Sequence, residues 1–198
     1  MGFGSGLTVS LEYKTYDRAW AENLFRRGKL PKAVYFWGHR NHNKNEVTKA
    51  CLSQWWPCEF KVDGETYVSA EHWMMAEKAR LFNAPEILQK ILSTRKPGAA
   101  KAFGRQIIGF DQKIWDERKY DIVVQGNRHK FSQNKNLEAF LLGTKKRLLV
   151  EASPVDRVWG IGLAVDNEHC ANPLKWKGQN HLGFALMSVR DILSVAKQ

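Results

Sequence analysis

The chain has 198 residues, of which 43% are hydrophobic and 12% aromatic, with eight Trp, a composition that excludes a disordered polymer and suits one substantial folded core. Its formal charge of +11 favours anionic partners such as nucleic acid, nucleotides or phosphorylated metabolites, set against the plainer reading of a solvated basic surface. No apolar run approaches the length of a membrane span, so no membrane partner is expected.

The opening stretch MGFGSGLTVS has neither a basic n-region nor a long apolar run, so no secretory signal is expected there, and Gly6 breaks the myristoylation pattern. Residues 1–33 are expected to form an N-terminal leader, and TYDRAWAENLFRRGKLPK within it shows weak helical periodicity. Residues 34–198 are expected to form a single domain without repeats or linkers. AVYFWG, residues 33–38, reads as a short strand stopped by Gly38, and the polar HRNHNKNEVTKA as a loop. Asp63-Gly64 between two β-prone arms predicts a hairpin over residues 60–68.

Ser69 is positioned to cap a helix running through AEHWMMAEKARLF. PEILQKILST starts with Pro where a helix tolerates it, and PGAAKAFGRQI predicts another short helix. KIWDERKYDIVVQGNRHKF and NKNLEAFLLGTKKRLLVEAS carry helical spacing, with a strand possible at RLLVEA. SPVDRVWGIG reads as an irregular loop, and NHLGFALMSVRDILSVA as an amphipathic helix. The predicted fold is therefore mainly α, multihelical, with a few short β-strands including the hairpin near 60–68.

Cys51, Cys58 and Cys170 are odd in number and form no C-x-x-C pair, which predicts reduced thiols and a cytoplasmic protein. With His72 they match no zinc spacing, so no metal site is expected. Phosphate-loop and H-E-x-x-H motifs are missing, and Val165 stands where a dinucleotide fingerprint beginning at Gly160 needs its third glycine.

Chemistry concentrates instead on one helix. Glu71 and Lys78 are seven residues apart, close to two turns, so they share one side about 10 Å apart along the axis. Met74 and Met75 lie between them. An amine in such apolar surroundings loses basicity by desolvation and can attack carbonyl carbon; alternatively, Lys78 snorkels to solvent and pairs with Glu71 or Glu77. Two further clusters join an aromatic to a polar group: Trp115 with Arg118, and Asp156 ahead of Trp159 and Gly160. Each singly has a core or surface explanation.

Five blocks, LSQWWPCEFKVDGETYVSAEHWMMAEKARLF, GRQIIGFDQKIWDERKY, KFSQNKNLEAFLLGT, LVEASPVDRVWGIGL and WKGQNHLGFALMSVRDIL, resemble the YbiA-like, or NADAR, family in order and spacing, over about residues 34–193. The resemblance implies a helical domain that hydrolyses N-glycosidic bonds of ribosylated bases. One branch of that family cleaves phosphoribosylated pyrimidine intermediates of riboflavin synthesis; another removes ADP-ribose from guanine. By position, Glu71 matches the family's active-site acid, Lys78 a lysine implicated in attack on the ribose anomeric carbon, Trp115 a site aromatic, and Asp156 a second acid before Trp159 and Gly160.

Two departures stand out: Leu52-Ser53-Gln54-Trp55 replaces a frequent Phe-Ser-Asn-Phe, and Thr144-Lys145 a frequent Thr-Gly. The first block is expected to border the pocket, which brings Ser53 into the substrate site and leaves substrate choice open. Arg105, Arg118 and Lys130 are candidate phosphate contacts. The expected partner is a phosphorylated ribosyl small molecule or an ADP-ribosylated nucleic acid. Cleavage through an imine at Lys78 or by water between two carboxylates requires no metal or redox cofactor. The rival reading is a non-catalytic ADP-ribose or nucleic-acid binding module, which has no need for a reactive amine.

Overall fold

A computed structural model describes residues 13–39 and 46–196. The start of the expected leader, residues 1–12, and residues 40–45 of the expected polar loop lie outside the described residues. The mainly helical fold is as the sequence predicts. Among the described residues there are seven α-helices and two small two-stranded sheets.

Helix α1, Arg18–Arg26, starts at Asp17, whose carboxylate accepts the Trp20 amide at 2.7 Å. The residues before it are tied to the last helix, α7 (His181–Val195): the Tyr16 hydroxyl donates to Asp191 and the Ser188 hydroxyl to the Lys14 carbonyl. Strand β1, Ala33–Phe36, pairs in parallel with β4, Leu148–Glu151, so that Phe36 lies opposite Glu151. Leu148, Leu149 and Val150 are all buried, as expected of a parallel strand covered on both faces rather than an alternating one. The hairpin is β2, Phe60–Val62, and β3, Glu65–Tyr67. Asp63 and Gly64 both take positive φ, 51° and 84°, the signature of the tight turn their sequence predicts.

Ser69 caps α2, Ala70–Leu81, by accepting the His72 amide at 3.1 Å. This helix is buried almost all round, from Ala70 to Ala76 and again at Ala79, because α3 (Pro85–Ser93), α4 (Pro97–Gly104) and α5 (Gln112–Ser132) enclose it. Contact with α5 is so close that a Cβ on Gly126 would stand 2.2 Å from the Trp73 ring. After α6, Lys135–Gly143, the chain enters β4 and then a long loop that α7 closes. Asn180, left-handed at φ 57°, joins these pieces: its Oδ1 accepts the Glu151 amide and its Nδ2 donates to the Leu149 carbonyl, each at 2.9 Å. No described helix is long and apolar enough to cross a membrane.

Candidate active site

Helix α2, the turn at residues 53–55, α4, the start of α5 and the loop after β4 surround a cavity of about 200 Å³. That volume is below those that enclose a drug-sized ligand, and suits a sugar-sized group with the rest of a ligand outside. Glu71, Met74, Met75 and Lys78 form one wall, on the shared helix face that their spacing predicts. Ser53, Gln54 and Trp55 form a second, Lys101, Gly104 and Arg105 a third, and Glu151, Asp156 and Trp159 a fourth, with Trp115 and Leu182 completing the enclosure.

Glu71 is 2% exposed. Its amide donates to the Gln54 carbonyl at 2.9 Å, locking the first turn of α2 to the second wall. The carboxyl pKa is pushed up to about 7, chiefly by burial; Lys101 opposes this, Asp156 adds to it, and a hydrogen bond from the Trp55 side chain and the Arg105 charge oppose it. One oxygen, Oε1, is sealed from solvent without a hydrogen-bond partner.

Lys78 pairs with neither Glu71 nor Glu77. Glu77 is held by Arg80 at 2.5 Å. The Lys78 Nζ instead donates to the Gly104 carbonyl at 3.2 Å and lies 4.1 Å from the Phe110 ring centre and 5.5 Å from that of Trp115. Burial, then the like charge of Arg105, lowers its basicity. A half-buried amine without a carboxylate partner is thus placed at the cavity wall.

Asp156 is partly exposed, and its Oδ1 accepts the amides of Val158 at 2.8 Å and Trp159 at 2.7 Å. It therefore shapes the loop that carries Trp159 as well as facing the cavity. Gly160 lies behind the lining: a Cβ there would stand 2.9 Å from the Glu151 carbonyl oxygen. Its role is to let the loop cross β4 closely, where the Ile161 amide donates to that same oxygen.

Two candidate phosphate contacts are corrected by their positions. Lys130 is fully buried, and its ammonium donates to the carbonyls of Cys51 at 2.7 Å and Ser53 at 2.8 Å. It holds the turn behind Ser53 and is not open to a ligand phosphate. Arg118 is exposed on α5 and lines a separate groove with Arg80, Asp121, Gln125 and His129. Of the three candidate phosphate contacts only Arg105 borders the cavity, and it is joined by Lys101, 5.7 Å from the Trp55 ring centre.

The sequence reading misses Glu151 and Lys101, and it gives Gln54 and Trp55 no role of their own within the block it expects to border the pocket. Glu151 ends the strand RLLVEA; an acid closing an otherwise apolar, buried strand is a signal that could have found it. Its carboxyl pKa is pushed up to about 8 by burial, by Asp156 and by Glu71, against Lys101. Its Oε2, like the Nε2 of Gln54, is buried without a partner.

Comparison with known proteins finds relatives over most of the chain. A family model described as the NADAR domain matches residues 35–194. The chain is 44% identical over 165 residues to N-glycosidase R617 of Acanthamoeba polyphaga mimivirus, an overlap of 81% of this chain and 95% of that protein. It is 33% identical over 142 residues to N-glycosidase YbiA of Escherichia coli (strain K12), covering 72% of this chain and 79% of the relative. The NMR structure of the Escherichia coli protein YbiA superposes with a TM-score of 0.66 at 27% identity, over 85% of this chain and 88% of that one.

Proposed function

The chain belongs to the NADAR family, and we propose that it is an N-glycosidase that cleaves a base from a phosphorylated ribosyl group in the cavity between α2 and β4. It is an enzyme acting on N-glycosyl bonds, as its relatives' names state of them. The observation that carries the reading is one small cavity holding a sealed carboxyl at Glu71, a poorly solvated amine at Lys78 and the cations Lys101 and Arg105.

Each group meets a need of the reaction. Breaking a C1′–N bond develops cationic character on the sugar and negative charge on the departing base. Glu71, its carboxyl pKa pushed up to about 7, still carries a proton in part of the molecules at neutral pH and so is part of the acid that serves that base. Asp156 brings a negative charge towards the sugar. Lys78 with lowered basicity is a nucleophile for C1′, giving an imine once the ribose ring opens, which water then releases. Met74, Met75 and Trp115 keep water scarce around it, and Lys101 and Arg105 at the rim attract phosphate. The two fitting substrates are a phosphoribosylamino-pyrimidine intermediate of riboflavin synthesis and ADP-ribose linked to guanine. The three unpaired cysteines suit a reducing compartment such as the cytoplasm.

A side-by-side assay decides between the substrates. The purified chain is given each one, and free base and ribosyl phosphate are measured by chromatography. Release from one identifies the substrate; binding of ADP-ribose without release from either overturns the enzymatic reading in favour of a binding module.

A further inference from the structure

Three carboxyl groups face the cavity, and they are not equivalent. Asp156 commits Oδ1 to two backbone amides. Glu71 and Glu151 each keep one oxygen sealed from solvent with no partner, Oε1 and Oε2 respectively. Two carboxyls enclosed in one small cavity do not both ionise readily, and a proton on either turns a bare acceptor into a donor. The backbone beneath each is held in place. The Glu71 amide is fastened to Gln54, and the Glu151 amide and carbonyl are fastened to Asn180 and Ile161. The charges facing the pair are Lys101 from α4, Arg105 just after it, Asp156 from the loop beyond β4, and Lys78 two turns along α2.

We propose that Glu151 is a catalytic residue that shares one proton with Glu71 and delivers it to the departing base. This rests on the N-glycosidase reading above. The electron pair of the C1′–N bond passes to the base nitrogen, which takes the proton from Glu151. Both carboxyls are then briefly ionised, next to the sugar when it is most cationic. Whichever nucleophile adds at C1′, water or the Lys78 amine, loses a proton on bonding, and that proton reloads the pair. The assignment gives Glu71 and Glu151 the linked roles of a carboxyl dyad, whose two ionisations belong to the pair rather than to either residue. It leaves Asp156, its Oδ1 held by two backbone amides, as the neighbouring acid that helps the pair keep its proton.

The test uses Glu151→Gln and two ribosyl phosphates, one carrying the natural amino-pyrimidine or guanine and one carrying 4-nitrophenolate, which departs without a proton. Glu151→Gln is expected to lose about 100-fold or more in kcat on the natural base, a typical worth of general acid catalysis, and less than about tenfold on the nitrophenolate. Glu151→Asp, which keeps a carboxyl, is expected to recover part of the first loss. Equal losses on both substrates, or no loss on the first, overturn the proposal. Difference infrared spectra of the carboxyl bands supply a readout that needs no turnover. Glu71→Gln is expected to raise the acid dissociation constant of Glu151 roughly tenfold, by removing the like charge. An unchanged Glu151 titration overturns the shared proton. If the unaltered chain cleaves neither substrate, it is the N-glycosidase reading that fails, and the infrared result still decides the dyad.

Discussion

Asn180→Ala should be among the most damaging single substitutions outside the cavity lining. Asn180 is fully buried, and its side chain satisfies both the Glu151 amide and the Leu149 carbonyl at 2.9 Å. Alanine leaves two buried backbone groups unpaired, at about 1–3 kcal/mol each. It also has to occupy φ 57°, where asparagine is better tolerated, at a further cost of about 1 kcal/mol. The combined loss is about 3–7 kcal/mol, which lowers the melting temperature of a domain this size by roughly 6 °C at the least and more than about 20 °C at the most. Equilibrium urea unfolding followed by Trp fluorescence measures it, with an unchanged m-value as the check that the denatured state is not altered. Asn180→Gly relieves only the backbone term and should keep most of the loss. A destabilisation of Asn180→Ala below about 1 kcal/mol would refute the claim that Asn180 fastens β4 to α7.

Lys78→Arg, permanently charged and unable to form an imine, should fold normally and lose nearly all turnover; borohydride reduction during turnover should leave a ribosyl adduct on the Lys78 peptide, and robust activity of Lys78→Arg with no adduct would exclude the covalent route. Trp159→Ala should reduce kcat more than stability, whereas Trp115→Ala, with its ring buried, should cost about 3–5 kcal/mol in stability as well, as thermal melts and kinetics together will show. Glu71 and Glu151 bind protons more tightly folded than unfolded, so their contribution to stability is fully present below the unfolded carboxyl pKa and is lost as pH rises through about 7 and 8. The doubly substituted Glu71→Gln, Glu151→Gln chain should therefore lose less stability between pH 5 and pH 8.5 than the parent, and parallel curves would contradict the raised values. KM should rise with ionic strength, more steeply for a DNA-linked substrate than for a mononucleotide, and Lys101→Ala with Arg105→Ala should flatten that dependence.

The local signals in the sequence were strong where a single residue type is physically required. Asp63-Gly64 supplies two positive φ angles, Ser69 an acceptor for a free helix amide, and Pro85 and Pro97 a permitted helix start, so these elements lie where the chain predicts them. Seven-residue spacing likewise places Glu71 and Lys78 on one face of the cavity. What the sequence could not show is which distant residues complete that face. Glu151 arrives by parallel pairing of strands more than a hundred residues apart, and Lys101 by the packing of α4 on α2, and neither contact leaves a local pattern. Lys130 is misread for a related reason. A lysine on a helix resembles a solvated cation until tertiary packing buries it against two carbonyl groups, and composition carries no trace of that burial.

The central claim is that bond cleavage occurs in this cavity with Glu71 as part of the acid. It is tested most directly by comparing the parent chain with Glu71→Gln on a phosphoribosylamino-pyrimidine and on ADP-ribosylated guanine, with calorimetry for binding and quantified free base for turnover. The parent should release base from at least one substrate, while Glu71→Gln binds that substrate with similar affinity and loses about 100-fold or more in kcat. Base release by Glu71→Gln at the parental rate would contradict the account.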